Sequence, residues 1–430
     1  MNVAFLGSSG RERFTAAIRE LDLASGSLAG AHLVIACAWL FSFGVGRAPE
    51  GILFGALIGI SLIRGPSTLP LLLEAMKSCW PVLICMGLLL FIGISAAWSP
   101  AEAKADWYPP RHMLYPVLLI PLLGGWRRLA WAYLAGIAFQ ASWILIEYML
   151  VADYHYGYPL GSSSNVHFWG GHMATGAILS ACLALNASGQ VWPRAIAVVI
   201  FSACLAAALI IGGRTTALAL ALGLTAAGAW ASTRTSVGWK IPCALLACAL
   251  AAGVAFGATL TARLQIPSPA ADSTPLCTRL HDFTSGRTWM WQVSLPAWST
   301  HPWAGWGRDA WAVVFHQRVA ELPPADLYFT TDRAMGLNTA HSTYVQALID
   351  QGVIGLGLVS ACIIALVATA WRSSSALALP LIGLTVYWAV SGIMLSELNT
   401  SHGLVPFGLM MTFAVGAVMF PGSAQPTHEA

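Results

Sequence analysis

The chain reads as a succession of apolar runs separated by short polar or glycine-rich connections. The runs cover 30–46, 50–64, 80–98, 112–124, 128–150, 167–187, 194–212, 215–232, 239–261, 342–371, 376–396 and 402–420. A helix that crosses a bilayer needs about 20 mostly apolar residues. Several runs are shorter than that, 112–124 the shortest, so the pattern predicts about twelve spans. Gly, Ser and Pro punctuate the junctions, as in Gly65-Pro66-Ser67 and Gly124-Gly125. Gly51, Gly55 and Gly59 recur at the spacing of closely approaching helices, although ordinary packing also accounts for them. Ahead of the first run, Phe14, Ala17, Ile18 and Leu21 fall at i, i+3, i+4 and i+7, the spacing of a short amphipathic helix lying on a membrane surface. The apolar run itself begins near Leu33, too late for a cleavable signal.

Composition agrees with the pattern. Hydrophobic residues make up 57% of the 430 residues and charged residues 9%, against about 25% charged in a soluble domain. That excludes a water-soluble globular protein and also a disordered chain. The expected class is an all-α, polytopic transmembrane helical bundle. The net charge of +3 gives no reason to expect nucleic acid as a partner. Eight of the nine Cys lie in or beside apolar runs, and there is neither a disulfide framework nor a CxxC metal motif.

Charge sets the orientation. With the N-terminus inside, the inner connections hold eleven Lys and Arg, and the short outer loops hold four: Arg47, Lys104, Arg111 and Arg214. Positive residues stay in the cytoplasm, so both termini are expected inside and the long 262–340 connection outside. Three units follow: 1–261, N-terminal transmembrane helices; 262–340, an outer loop; and 341–430, C-terminal transmembrane helices. The loop carries six Arg, six Asp or Glu, and six Trp: Trp289, Trp291, Trp298, Trp303, Trp306 and Trp311. Tryptophan favours the membrane–water boundary. Trp291, Leu295 and Trp298 line one helical face, and a second helix is expected from Arg308 to Val319. The loop therefore reads as short helices lying on the outer leaflet, a shelf suited to a lipid-linked substrate.

Three basic residues on that side share a local setting. Arg214 follows Gly212-Gly213 and opens a helix. Arg287 follows Thr284-Ser285-Gly286, with Ser285 placed to cap a helix. His341 follows Asn338-Thr339-Ala340, with Thr339 placed to cap another. Helix N-termini attract anions, and the guanidinium fork matches phosphate oxygens. Arg214 and Arg287 are thus candidates to hold a diphosphate. A helix N-terminus favours neutral imidazole, which makes His341 a candidate general base. His172, Arg308 and Tyr344 are secondary candidates for substrate contact; His172 and His167 lie near the outer end of their helix, where polar groups also simply line a mouth. No pair of outer carboxylates is arranged for a divalent metal, and neither a P-loop nor a Gly-x-Ser-x-Gly elbow occurs. Glu147 and Glu397 lie near run ends, so mid-span charge of the kind coupled transporters keep is scarce.

Gly286-Arg287-x-Trp289, Pro302-x-x-Gly305-x-Gly307, Ala340-His341-Ser342-x-Tyr344 and Asp350-x-Gly352-x-x-Gly355, in that order before a helix re-entering the membrane, resemble the core of the O-antigen ligase/polymerase superfamily. The chain most resembles its ligases. Ser342 stands where Asn is frequent and Asp350 where Glu is frequent. The resemblance implies inverting glycosyl transfer, without metal or cofactor, on the periplasmic face of the bacterial inner membrane. The donor would be O-antigen on undecaprenyl diphosphate and the acceptor a hydroxyl of the outer core sugar of lipid A–core. Arg214 and Arg287 would hold the diphosphate, and His341 would deprotonate the acceptor. A polymerase joining two lipid-linked chains uses the same chemistry. A lipid-glycan flippase or transporter is the alternative of another class.

Overall fold

The computed structural model describes residues 26–45, 47–101, 114–150, 166–186, 190–211, 213–234, 281, 284–323, 326–396 and 401–420. Every regular element among them is a helix. In chain order these are α1 (Gly26–Ser42), α2 (Arg47–Ser78), α3 (Trp80–Ile94), α4 (Leu114–Leu119), α5 (Trp126–Leu150), α6 (Val166–Asn186), α7 (Val191–Ile211) and α8 (Gly213–Arg234). Then come the short α9 (Arg287–Ser294), α10 (Ala310–Glu321) and α11 (Thr331–Met335), and finally α12 (Thr343–Arg372), α13 (Ala378–Ser391) and α14 (Ser401–Met419). Among the described residues, six helical segments are long and apolar enough to cross a membrane, and three shorter apolar helices accompany them. The protein is an all-α, multi-pass membrane protein.

Two runs fold differently from their expected form. The second does not stop at Gly65-Pro66-Ser67: α2 continues to Ser78. The Thr68 hydroxyl donates toward the carbonyls of Arg64 (3.2 Å) and Gly65 (3.4 Å). The 112–124 run makes no span of its own. Pro116, Pro121 and the Gly124-Gly125 pair limit it to α4 and a 3-10 turn (Ile120–Gly125) that leads directly into α5. The 239–261 run and the amphipathic 14–21 segment lie outside the described residues.

The bundle packs where small residues let backbones meet. Gly51, Gly55 and Gly59 have nothing close to where a side chain would point. The tight approaches lie elsewhere. Gly44, just after α1, meets Gly136 of α5, and Gly223 of α8 meets the carbonyl of Gly383 of α13 at 2.6 Å from its missing Cβ. The Trp230 indole of α8 donates to the carbonyl of Ala370 in α12 (3.0 Å).

The outer segment has a small core of its own, built from Trp289, Met290, Trp311, Phe315, Val319 and Phe329. It joins the bundle at a break in α12. Gly352 has φ 67° and ψ −162° inside that helix, a conformation open essentially to glycine alone. The break turns out backbone groups that a continuous helix would pair internally, and buried groups of this kind need partners. The 302–307 loop supplies them: Trp306 and Gly307 N–H donate to the carbonyls of Ile349 (2.9 Å) and Asp350 (2.7 Å). In return, Val353 and Ile354 N–H donate to Pro302 (2.9 Å) and Trp303 (3.2 Å). A side chain at Gly305 would run into the Asp350 peptide. The two glycine motifs are the two halves of one clamp, which fixes the outer segment to the first turns of α12.

Candidate active site

His341 immediately precedes α12. Ser342 is the N-cap, not Thr339 as the sequence suggested: its hydroxyl accepts from Val345 N–H (3.4 Å). His341 itself has φ 49°, uncommon for a residue with a side chain. Both flanks hold it there. On one side, Ala340 N–H donates to Gln346 Oε1 (2.8 Å), and the Ala340 carbonyl accepts from the Trp291 indole (2.8 Å). On the other, Thr343 N–H donates to the Gly392 carbonyl (2.8 Å) and the Thr343 hydroxyl to Leu395 (2.8 Å). Strained backbone persists only where its surroundings over-determine it, and it gathers at functional sites.

Arg287 is the first residue of α9. The N-cap is Gly286, with φ 83°, in place of the expected Ser285; Thr284 provides the side-chain cap, its hydroxyl accepting from Thr288 N–H (3.2 Å). The Arg287 guanidinium makes one long bond to the Thr284 carbonyl (3.4 Å). Its Nε is buried with no hydrogen-bond partner among the described residues. Burial also lowers the pKa of this group, that is, it disfavours the charge. A half-buried cation with an unmet donor at a helix N-terminus is a setting that suits an anion. Trp291 stands one turn along α9 from Arg287, about 5–6 Å along the axis. The indole that grips Ala340 therefore belongs to the helix that presents Arg287, and the cation and the histidine form one assembly.

A buried relay supports that assembly. Gln346 bonds Ala340 through its oxygen and donates through its nitrogen to Asp350 Oδ2 (2.7 Å). Asp350 Oδ1 accepts from Trp311 N–H (2.8 Å) at the start of α10. Gln346 and Asp350 lie one turn apart on α12, and both are buried. The relay links the helix break, the outer core and the His341 turn. Trp291 and Gln346 are positioning residues that sequence reasoning missed. Only the i, i+4 spacing of Gln346 and Asp350 could have signalled the pair.

Residues 196–360 match the family model described as O-antigen ligase. That region of the chain is similar to the O-antigen ligases. Comparison with curated proteins finds no match. The O-antigen ligase match runs from α7 into α12, so it takes in Arg214, Arg287, His341, both halves of the clamp and the relay. The match supports a membrane enzyme of the O-antigen ligase/polymerase type.

The remaining candidates are placed as follows. Arg214 is the second residue of α8; its side chain lies outside the described part. So does the side chain of His167. His172 is fully buried rather than at a water-filled mouth. Its ring stacks on Phe43 (5.6 Å) and its Nδ1 bonds the Tyr133 hydroxyl (3.0 Å). Arg308 precedes α10, is 9% exposed, and pairs with Asp309 (3.2 Å). Tyr344 donates its hydroxyl to the Ala389 carbonyl of α13 (2.6 Å). These three side chains are engaged in packing and internal bonds. The loop tryptophans behave similarly: the indoles of Trp289, Trp291, Trp298 and Trp306 donate to backbone carbonyls of the same outer segment. Trp303, 71% exposed, is the one most open to a membrane surface. Among the described residues, no three His, Cys, Asp or Glu side chains come together as a metal site.

Proposed function

We propose that the protein is an O-antigen ligase acting on the periplasmic face of the inner membrane, with 262–340 as its outer segment. It moves a glycan from undecaprenyl diphosphate to a hydroxyl of lipid A–core. His341 takes the proton of the acceptor hydroxyl. The acceptor oxygen then attacks the anomeric carbon as the bond from that carbon to the diphosphate oxygen breaks. The diphosphate leaves with the bonding electrons, and its charge falls on Arg287 and Arg214. One displacement inverts the anomeric carbon, and neither a metal nor a general acid is required.

The observation that carries this reading is the Trp291–Ala340 bond. It joins the helix presenting an under-bonded arginine to the strained turn presenting a histidine. Anion site and base held within one assembly are what a single displacement on a diphosphate-linked sugar needs. The decisive experiment is reconstitution of the purified chain with undecaprenyl-diphosphate glycan and lipid A–core, with the product resolved on gels, in the presence and absence of EDTA. Glycosylated lipid A–core formed in EDTA is the expected product. Glycan joined only to a second lipid-linked glycan would make the protein a polymerase, and no product with either acceptor would remove the catalytic reading.

A further inference from the structure

The outer segment has a second feature, on the other face of α9. Arg287 and Trp291 lie on the face toward His341. Trp289, Gln292, Val293 and Pro296 follow the i, i+3, i+4, i+7 spacing of another face and line a groove of about 850 Å³. Its opposite wall comes from the end of α10 and the segment before α11, with Arg318, Glu321, Asp326 and Tyr328. Trp289 forms the floor, its indole bonded to the Asp326 carbonyl (3.2 Å) and its ring 6.4 Å from that of half-buried Tyr328. Gln292, Glu321 and Asp326 are exposed along the rim. Arg318 is bridged to Glu321 (3.2 Å).

The chemistry of this lining selects its ligand. Arg318 is offset by its own carboxylate, and Asp326 adds a second acid, so the groove is no phosphate site. The half-buried Tyr328 ring, beside planar amide, carboxylate and guanidinium groups, suits a ligand with apolar C–H faces and closely spaced hydroxyls. Saccharide rings have that character.

We propose that this groove binds the glycan of the lipid-linked donor, a few sugar rings from the anomeric carbon that reacts. The assignment rests on the transfer reading above and extends it. The groove and Arg287 share one short helix about 10–12 Å across, so a chain leaving the diphosphate passes over α9 into the groove. Donor length, which the diphosphate site cannot sense, is read here.

The test separates this claim from the catalytic one. Glycan freed from its lipid, and so without diphosphate, is titrated into the full-length detergent-solubilised protein and followed by tryptophan fluorescence and calorimetry. Binding is expected, and His341→Ala should retain it. Gln292→Ala and Tyr328→Leu should each weaken it about tenfold, the worth of roughly one hydrogen bond or ring contact. Gln292→Trp, which fills the groove, should weaken it further. In transfer assays these variants should lower the ratio of kcat/KM for long donors to that for single-repeat donors by a similar factor. Absence of free-glycan binding by the wild-type chain, or wild-type binding by Gln292→Trp in folded protein, overturns the proposal. A loss that follows truncation of the acceptor sugars and ignores donor length also overturns it. A His341→Ala variant that keeps its turnover would remove the catalytic reading and leave the binding result standing.

Discussion

His172 packs its ring between Phe43 and Trp169 and bonds Tyr133 through Nδ1, so the side chain is held inside the bundle. The His341 turn is organised the other way round. There the peptide groups of the flanking residues bond Trp291, Gln346, Gly392 and Leu395, and His341 itself is half-buried where His172 is fully buried. A histidine held by its ring is a packing residue with a polar atom. A half-buried histidine on a turn fixed through its flanking peptides is oriented by the fold around it. The difference is one of burial and backbone setting, and it is invisible in residue type.

The largest effect expected on turnover follows from that contrast. His341→Ala should reduce transfer by about 10²–10⁴, the usual range for a general base. Affinity for undecaprenyl diphosphate should be nearly unchanged, because Arg287 and its helix remain. Single-turnover rates and donor binding on the same purified, folded variant check both halves. Near-normal turnover would collapse the distinction between the two histidines.

Arg287→Ala comes next. Removing one positioned donor to developing charge costs about 10²–10³, and here donor binding should weaken as well. Arg287→Lys should recover only part of either quantity, since it keeps the charge and loses the fork. Donor affinity and turnover that both match wild type in Arg287→Ala would move the diphosphate site away from α9.

Much of this arrangement is legible before any coordinates. Apolar runs and charge bias are local properties, and they suffice for an all-helical membrane protein. Arg214, Arg287 and His341 do stand at or just before the starts of α8, α9 and α12, because glycine and hydroxyl residues mark helix starts by local chemistry. The details fail where the partner is distant. Whether Thr339 or Ser342 caps α12 is decided by the φ of His341, which depends on Trp291 and Gln346. The break at Gly352 leaves no trace in hydrophobic periodicity, since the residues on either side keep their apolar pattern. An indole that donates to a backbone carbonyl has no sequence signature in its acceptor, so the loop tryptophans read as membrane anchors although most are internal staples.

Trp291→Phe tests the tie between the two sides of the site with a smaller expected effect. It keeps the ring and removes one hydrogen bond to the Ala340 carbonyl, worth about 1 kcal/mol, or roughly fivefold. The loss should fall on kcat. Donor affinity and melting temperature in detergent should hold, because α9 stays packed through Trp289 and Met290 in the outer core. An equal fall in melting temperature would mean that the indole only stabilises the fold and does not position His341.

The smallest effect on turnover is expected at His172. His172→Phe preserves the aromatic packing around Phe43 and Trp169 and removes one hydrogen bond of the buried Tyr133 hydroxyl. Losing one buried hydrogen bond costs about 1 kcal/mol, so the variant should unfold at slightly lower temperature in detergent. Its kcat and donor affinity should stay close to wild type at temperatures where it remains folded. His172→Phe combined with Tyr133→Phe should recover most of the lost stability, since replacing both partners by apolar groups of similar shape is nearly neutral. A large fall in kcat for His172→Phe that the double variant does not restore would show that the buried histidine takes part in the reaction, and that burial does not separate the two histidines.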